Sequence, residues 1–551
     1  MDSRITRIPV FLVVAALFVF GLAFAGAAHA ATTYNVTTTD EHDDGVCDSD
    51  CSLNDAIDQA NNDGVDSIIN LPAGTYSIGQ FDILNDGSFT ITGAGAANTI
   101  LDASETTDQF IRIVPAEVVT ITGVTIENAT AGDERCAAID VGPSADLTVD
   151  QDVFNNNNTI EDGGAICVEG TKGTTFLKVD HTTFTANHAD GNGGAIWADF
   201  DTNVQVADST FGASTLAQGN SAGDWGGAIE DFGVLTITNS TFSHNSSDTD
   251  QDGLGQGAID INGSLSSRPS ARGASTRGTI GGSAQLLNDT ITDNDLVNGD
   301  LDGAGAAGGL TVGVFGRATV KNTILFGNTA PSGQANCSVG GNGATLTSAG
   351  HNIEGATDCG FTAAGDQQNT NPQVGTLADN GGPTFTEAIT TSSPAFDRGD
   401  NSGCPATDQR GIARPQSVAC DVGAYEAQLP TATPPAPPVT PPPTPPAKPK
   451  ISVAGVRRAC VASKSSFRLR FHVATTATVK GVTVTLDGHR IKSTKRSSFT
   501  LTIRAKGLKA GRHHVTVKAV DSAGQTTTLH RSFTICRAVK PRRHAAPRFT
   551  G

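Results

Sequence analysis

The run Asp248-Thr249-Asp250-Gln251-Asp252-Gly253 has the spacing of the first half of a calcium-binding loop. In such a loop alternating carboxylates converge on one cation, and the glycine permits a sharp turn. The twelfth position holds Ile259 instead of the usual bidentate glutamate, so the run supplies only part of a coordination shell. Asp248, Asp250 and Asp252 are therefore predicted calcium ligands, and a solvated polar loop is the alternative.

A second set of residues has the chemistry of a glycan-active enzyme. Glycoside hydrolases use two carboxyl groups, one protonated and one ionised, on either side of the scissile bond. Trp197 and Trp225, about one repeat apart, are candidates for stacking on sugar rings, with ordinary packing as the alternative. Asp190 is a further ligand-binding candidate. The catalytic candidates are Asp199, Asp224, Glu230 and Asp231.

A polysaccharide lyase is disfavoured by charge. Lyases that act on uronates need cations to neutralise the substrate carboxylate, and a Lys or Arg as base. Residues 180–263 contain no Lys or Arg. Acidic residues are abundant along the whole body of the chain, so their presence is weak support for a hydrolase. We therefore favour a non-catalytic role, with a hydrolase as the alternative.

These residues lie between copies of a seven-residue phrase that recurs at spacings of 30, 27, 31, 49 and 34 residues. A period near 30 is typical of a solenoid, in which each coil buries its apolar face against its neighbours. The copies are QDVFNNN (151–157), HTTFTAN (181–187), DSTFGAS (208–214), NSTFSHN (239–245), NDTITDN (288–294) and NTILFGN (322–328).

Two columns of the phrase indicate how the coils stack. The fourth position is always apolar, which predicts an internal ladder. The seventh is Asn in every copy except one, where it is Ser214. Asn tolerates left-handed turn geometry, and its amide can pair with the next coil. The variable loops that follow each phrase carry the acidic residues, so coils in register would align these acids along one edge.

The ends of the chain and its cysteines indicate export. Arg4 and Arg7 precede an apolar run, and the small residues Ala28 and Ala30 precede a predicted cleavage before Ala31. A signal anchor is the alternative. Ten cysteines fit an oxidising compartment. We predict five local disulfides: Cys47–Cys51, Cys136–Cys167, Cys337–Cys359, Cys404–Cys420 and Cys460–Cys536.

The net charge of −19 conceals an acidic body and a basic end. Residues 31–429 hold 53 Asp and Glu against 12 Lys and Arg, whereas residues 448–551 hold 2 against 23. Such asymmetry concerns partners rather than fold. The basic end could bind an extracellular anionic polysaccharide, whereas nucleic acid is disfavoured because few aromatic residues lie among the charges.

Two stretches resemble known modules. Ser52 caps a predicted amphipathic helix, and the phrase Cys51-Ser52-Leu53-Asn54-Asp55-Ala56-Ile57 resembles the CSLREAI motif at the start of exported bacterial right-handed parallel β-helix proteins. Here Asn54 and Asp55 replace Arg and Glu. The blocks DNGGPT (379–384), SPAFDRGD (393–400), CPATDQRG (404–411) and CDVGAYE (420–426) resemble the choice-of-anchor Q module, which implies a compact cap for the last coil.

The resemblance implies an all-β protein with a right-handed parallel β-helix of the pectin-lyase-like class. Alternating segments after the Pro-rich stretch resemble bacterial Ig-like β-sandwich modules. The implied function is that of an exported or cell-surface protein with an adhesive, glycan-contacting or structural role, and the predicted calcium ligands suggest assistance by calcium. The predicted divisions are a signal peptide (1–30), an N-terminal cap (31–66), the β-helix (67–376), the anchor-Q-like module (377–428), a Pro-rich linker (429–450), an Ig-like domain (451–536) and a basic tail (537–551).

Overall fold

The computed structural model describes most of the chain, and its residues form two compact units, the first within Met1–Thr431 and the second within Ala432–Gly551. The predicted signal peptide, most of the Pro-rich linker and the basic tail lie outside the described residues. The described ranges are 31–85, 87–132, 135–170, 175–268, 276–298, 306–331, 333–429, 447–457 and 459–536.

The first unit is a parallel β-helix, which confirms the predicted solenoid. Three long parallel sheets run along it, here named sheets A, B and C, with 11, 10 and 9 strands. Because each strand pairs with its counterpart one coil away, consecutive strands of the chain lie in different sheets.

Sheet A comprises Thr32–Asn35, Ser67–Leu71, Ser88–Gly93, Val118–Thr122, Asp146–Asp150, Thr175–Asp180, Thr202–Ala207, Val234–Thr238, Ser283–Leu287, Arg317–Lys321 and Thr345–Ser348. Sheet B comprises Gly74–Ser77, Thr99–Asp102, Thr125–Glu127, Val153–Asn155, Thr183–Thr185, Thr210–Gly212, Thr241–Ser243, Thr290–Thr292, Ile324–Phe326 and Ile353–Glu354. Sheet C comprises Phe81–Ile83, Ile111–Ile113, Ile139–Val141, Ile166–Val168, Ile196–Ala198, Ile229–Asp231, Ile259–Ile261, Leu310–Val312 and Cys337–Val339.

A fourth sheet of six two-residue strands, sheet D, stacks between sheets B and C. An antiparallel hairpin of Gly263–Arg268 and Thr276–Gly281 accounts for the spacing of 49 residues between two phrases. A 3₁₀ helix spans Leu216–Gln218. The strands of sheet D are Thr130–Ala131, Asn158–Thr159, His188–Ala189, Ser221–Ala222, Ser246–Ser247 and Asp295–Leu296.

The fourth position of the phrase forms the predicted internal ladder. The rings of Phe154, Phe184, Phe211 and Phe242 are fully buried and nearly parallel, with successive centroids 4.8, 4.6 and 4.7 Å apart. Ile291 and Leu325 continue the column. Because each ring covers the next, the column removes its apolar surface from water along most of the solenoid.

The asparagine column forms a continuous hydrogen-bonded ladder. Each amide Nδ2 donates to Oδ1 of the next Asn at 2.8 to 3.1 Å, and also to a backbone carbonyl of the coil before it. The left-handed residue is the one that precedes the ladder Asn, as at Asn156 and Ala186. The ladder contains Asn157, Asn187, Asn220, Asn245, Asn294, Asn328 and Asn336.

The exception in the seventh position has a simple structural reason. Ser214 is exposed and lies outside the ladder, and Asn220 occupies the buried place instead. The chain between them, residues 215–219, leaves the coil as a short excursion that includes the 3₁₀ helix. The excursion lengthens the coil without breaking the stack.

The predicted N-terminal helix is present at Leu53–Asp63, and its buried residues include Leu53, Ile57 and Ala60. Ser52 and Asp55 form a reciprocal capping box. Burial alone would raise the pKa of Asp55, but hydrogen bonds from Ser52 and the backbone N–H groups of Asp44 and Gly45 lower it to about 2. Thr32–Asn35 already pairs with Ser67–Leu71, so the stretch before residue 67 also contributes a strand to sheet A.

Residues 377–428 share a buried apolar cluster with Ile353 of the last coil, and they also extend beyond that coil. They lie along the outer side of sheet B, across several coils, and we name them the flank segment. Its Gln409 side chain contacts Ser209, Thr210 and Thr241, and the backbone N–H of Gly423 bonds to Asn322. On the coils that Gln409 contacts, the outward positions carry hydroxyl groups, which bond the covering segment. On the last two coils Ile324 and Ile353 instead form a buried apolar cluster with residues of the segment that include Ile389 and Val422.

All five predicted disulfides are present: Cys47–Cys51, Cys136–Cys167, Cys337–Cys359, Cys404–Cys420 and Cys460–Cys536. Cys136–Cys167 joins neighbouring coils, in keeping with its separation of 31 residues, about one repeat. Cys404–Cys420 lies within the flank segment, beside the amide of Asn322.

The second unit consists of two antiparallel sheets that share an apolar core. One contains Lys450–Ala454, Ser466–Ala474 and Ser498–Arg504, and the other contains His489–Thr494, Val479–Leu486, Gly511–Asp521 and Thr526–Ile535. Alternate residues of Ser466–Ala474 are buried, among them Phe467, Leu469 and Phe471. Among the residues that the structure describes, no helix has the length and apolarity needed to cross a membrane.

Candidate functional site

The residue that follows each Gly-Ala-Ile or Ala-Ala-Ile sequence occupies the outward column of sheet C. The register places Asp140, Cys167, Trp197, Glu230 and Asp260 directly above one another. The preceding isoleucines face the core, since successive side chains of a strand point to opposite faces. Two carboxyl groups from adjacent coils, Glu230 and Asp260, are therefore neighbours.

Glu230 and Asp260 form a closed carboxyl pair. Both residues are fully buried, and their carboxyl groups share a hydrogen bond. Asn262 Nδ2 donates to Glu230 Oε1 at 3.2 Å and to Asp260 Oδ2 at 2.6 Å. With its amide nitrogen turned toward Asp260, Gln256 lies 3.2 and 3.3 Å from the two oxygens of that carboxyl. A proton between the two carboxyl groups would satisfy the pair in the absence of a cation.

Burial raises the pKa of Glu230 well above its usual range, and the neighbouring Asp260 raises it further. Burial also raises the pKa of Asp260 to about 7, an effect that the hydrogen bond from Glu230 partly offsets. Asp231 is aligned with Ala198 and Ile261 on the inward side of the strand, and burial raises its pKa to about 8. An inward carboxyl cannot reach a polymer outside the solenoid, so Asp231 is unsuited to the catalytic role suggested for it.

The two tryptophans are packed to different degrees. Trp197 is only 6% exposed, because the Arg135 guanidinium lies 4.5 Å from its ring centre and Phe232 packs against its edge. Trp225 is half-buried and bridges to Gln256 of the next coil. Packing therefore accounts for Trp197, and Trp225 retains the more accessible ring.

Asp199 follows the sheet C strand that holds Trp197, and its carboxylate accepts a hydrogen bond from the N–H of Phe200. Burial raises the pKa of Asp199. The residue is aligned with neither Glu230 nor Asp260 in the outward column, because it lies beyond the end of the strand. The structure thus separates Asp199 from the closed pair in register.

The loops after sheet D bring exposed acidic residues to one edge of the solenoid, as the repeat suggested. The sheet D strands from which these loops start are stacked in register. We name this surface the acidic edge, and its members are Glu161, Asp162, Asp190, Asp224, Asp250 and Asp252. Within it, Asn192 donates a hydrogen bond to Asp162, and His188 Nε2 lies 2.9 Å from the exposed Asp190 carboxylate.

Three carboxylates on the acidic edge converge. Oxygen atoms of Asp224, Asp250 and Asp252 lie within 4.8 Å of one another. Asp250 and Asp252 are exposed, and Asp224 is half-buried. Burial, together with the charges of Asp252 and Asp250, raises the pKa of Asp224 to about 6. The cost of holding three carboxylates so close is what a bound divalent cation would relieve.

The cluster differs from the predicted ligand set in one member. Asp248 is buried, and its Oδ1 accepts a hydrogen bond from the N–H of Gly253, so it shapes the loop. Asp224 from the preceding coil takes its place beside Asp250 and Asp252. The linear motif could not show this, because the substitution depends on the distance between coils.

Sequence reasoning also overlooked Asp260 and Asn262 as partners of Glu230. A usable signal was present: aligning the chain on Gly-Ala-Ile brings Cys167, Trp197, Glu230 and Asp260 into one column. The role of Asn262 had no comparable signal, since it depends on the path of the chain after the strand.

One repeat family matches the chain. The family described as Chlamydia polymorphic membrane protein (Chlamydia_PMP) repeat matches residues 181–199, which run from one phrase through the following Gly-Gly-Ala-Ile. The chain is a β-helix repeat protein. No curated protein and no solved structure matches it.

Proposed function

We propose that the protein is exported and surface-associated, and that its β-helix serves contact with extracellular material rather than catalysis. The acidic edge would hold calcium and, through it, support that contact. The observation that carries the proposal is the convergence of Asp224, Asp250 and Asp252 from two coils on an exposed edge.

Export is supported by five disulfides, which persist in oxidising compartments. The description of the matching repeat names a membrane protein and therefore agrees with a surface location. In this proposal residues 1–30 are a secretory signal. The helix at 53–63 belongs to a CSLREAI-like start, the flank segment is a choice-of-anchor Q module, and the second unit is an Ig-like domain.

A non-catalytic role is supported by the state of the best-placed carboxyl pair. A hydrolase needs its two carboxyl groups about 5 to 10 Å apart, with a sugar and a water molecule between them. Glu230 and Asp260 instead bond each other directly and have no exposed surface. Asp231 faces inward. The polysaccharide hydrolase of the pectin-lyase-like class, our alternative, therefore has no accessible acid at Glu230 or Asp231.

The metal chemistry fits a hard cation. Carboxylate oxygens are the ligands that calcium prefers, and calcium accepts irregular geometry. Backbone carbonyls and water would have to complete the shell, as they commonly do around calcium. Two of the three carboxylates lie on a loop and the third on the coil before it, so bound calcium would tie two coils together.

Calorimetric calcium titration of the full chain tests the proposal. The parent protein should release or take up heat at one site, and Asp250→Asn with Asp252→Asn should abolish that heat. Asp190→Asn, which removes an exposed carboxylate from the same edge, is the matched control and should leave the titration unchanged. A glycan array read with calcium and with a chelator then tests the contact role. No heat in the parent protein would reject the calcium-assisted edge.

A further inference from the structure

One face of the second unit carries positive charge and hydroxyl groups without any carboxylate. On the three-stranded sheet, the even-numbered residues of Ser466–Ala474 point away from the core. The basic residues of this face are Lys450, Arg468, Arg470, His472 and Arg504, and the hydroxyl residues between them are Ser452, Ser466, Ser498, Thr500 and Thr502. We name this surface the basic face.

The register arranges the basic face in rows. Arg468 lies beside Thr502, and Arg470 lies beside Thr500. Consecutive outward residues of a strand are about 6.7 Å apart, because each residue advances about 3.3 Å. His472 Nδ1 is 2.7 Å from Ser498 Oγ, so even the imidazole is paired with a hydroxyl group.

The positive charge is not neutralised within the unit. Residues 448–551 contain only two carboxylates, Asp487 and Asp521. The Asp487 carboxylate is hydrogen-bonded to the His513 ring and to the N–H of His514. Asp521 is buried and accepts hydrogen bonds from Thr475 Oγ1 and from N–H groups of the turn that follows it. In the described part of the unit, residues 447–457 and 459–536, the cations of the basic face form no ion pair with a carboxylate.

A groove of about 460 Å³ opens at the edge of the basic face. Its walls include Gly455 and Phe467, and its cations are Arg457, Arg468 and Arg470. The guanidinium group presents a fork of donors that matches a carboxylate or sulfate. Three such groups around one groove would bind consecutive anionic groups of a chain polymer.

We propose that the basic face binds an acidic polysaccharide, a polymer in which carboxylates or sulfates alternate with hydroxyl groups. This inference rests on the proposed contact with extracellular material and adds a second binding surface for it, on the second unit. The arginines would bind the anionic groups, and the Ser and Thr hydroxyl groups would bond those of the sugars. Single-stranded nucleic acid fits less well, because its binding sites stack bases on aromatic rings, and the outward positions carry no aromatic ring except the His472 imidazole.

Interferometry of the full chain on immobilised polygalacturonate tests the inference, with a chelator present so that calcium cannot bridge the polymer to the acidic edge. The parent protein should bind, and binding should weaken as NaCl is raised from roughly 0.05 M to roughly 0.5 M, because salt screens exposed charges. Replacing Arg468 and Arg470 by Gln should weaken binding about tenfold, as expected for the loss of two exposed, forked ion contacts.

The matched control is Arg512→Gln with Lys518→Gln, which removes two exposed cations from the other sheet. It should change affinity by less than about twofold if the contacts are local to the basic face. An equal loss in both double variants would overturn the assignment to this face. Binding of single-stranded DNA at least as tight as that of polygalacturonate would overturn the polysaccharide class.

The result is independent of the acidic edge. Because the polymer assay excludes calcium, its failure would reject the basic face and leave the calorimetric test of Asp250 and Asp252 untouched. The four substituted side chains are all exposed, and circular dichroism of each variant should therefore match that of the parent.

Discussion

Asn187 Nδ2 donates a hydrogen bond of 2.8 Å to Oδ1 of Asn220, a residue 33 positions later in the chain. Both side chains are fully buried. The Asn187 amide nitrogen also donates to the Phe154 carbonyl of the preceding coil, and its Oδ1 accepts from Asn157, so one side chain satisfies polar groups on both neighbouring coils. Buried polar groups of this kind are costly to leave without partners.

Replacing Asn220 by Ala should destabilise the β-helix strongly. The change leaves the Phe184 carbonyl, the Asn187 amide and the Asn245 oxygen without their partner. A loss of about 2 to 4 kcal/mol is expected from several buried groups at about 1 kcal/mol or more each. Urea denaturation measures it. Ser214→Ala, at the exposed seventh position of the same phrase, should be nearly neutral, and comparable losses would refute the assignment of Asn220 to the ladder.

The β-helix should become less stable as pH rises through neutrality. In an unfolded chain the pKa of Asp231 and Asp260 would be near 3.8, whereas burial raises them to about 8 and about 7 in the folded protein. The folded state therefore binds more protons between these values. The stabilisation is complete below about pH 4 and is lost as pH rises toward 8.

Asp231→Asn provides the test of this pH dependence. The amide cannot ionise, so the variant should lose less stability between pH 5 and pH 8 than the parent, and the two urea midpoints should converge at low pH. Those pH values are approximate limits set by the raised pKa values. Asp190→Asn, on an exposed carboxylate, should keep the parental slope. An unchanged slope in Asp231→Asn would show that this carboxyl is not buried as described.

Calcium binding at the acidic edge should weaken in acid. Burial and the neighbouring Asp252 and Asp250 raise the pKa of Asp224 to about 6, and a protonated carboxyl is a poor calcium ligand. Affinity should therefore fall as pH drops below about 6, and binding near that pH should release protons. Calorimetry in buffers of different ionisation enthalpy measures that release. Affinity independent of pH across this range would exclude Asp224 as a ligand.

The flank segment should loosen when Gln409 is lost. The Gln409 side chain accepts from Thr241 Oγ1 and donates to the Ser209 carbonyl and Thr210 Oγ1, all on the β-helix. Gln409→Ala should raise amide hydrogen exchange across residues 379–426 while strands of sheet A keep their protection. Gln416→Ala, whose side chain bonds only within the segment near its exposed surface, is the control. Equal exchange in both variants would argue against Gln409 as the main contact.

The repetitive part of the fold was predictable because its signals are local and periodic. The apolar fourth position and the Asn column needed only the spacing of the phrase, and the helix at Leu53–Asp63 needed only its cap and apolar face. The seventh position failed to predict the ladder residue at Ser214, because an excursion of a few residues moved the buried position to Asn220. Such a shift keeps the hydrogen bonds of the ladder but changes the sequence position of the residue that forms them.

The site was less predictable because it depends on contacts between distant residues. The three-carboxylate cluster contains Asp224 in place of the predicted Asp248, and Glu230 is paired with Asp260, which sequence reasoning overlooked. Whether Asp231 points inward depends on which face of its strand the preceding Ile229 occupies. The position of the flank segment depends on hydrogen bonds that span as many as 200 residues, and no periodicity encodes them.

The excursion at residues 215–219 also shows where this molecule can accept new material. Between Phe211, which stays in the aromatic column, and Asn220, which stays in the amide ladder, the chain leaves and rejoins the coil without disturbing either. A peptide of other length grafted there should therefore be tolerated. This coil can carry a longer display loop while the aromatic column and the amide ladder keep their positions.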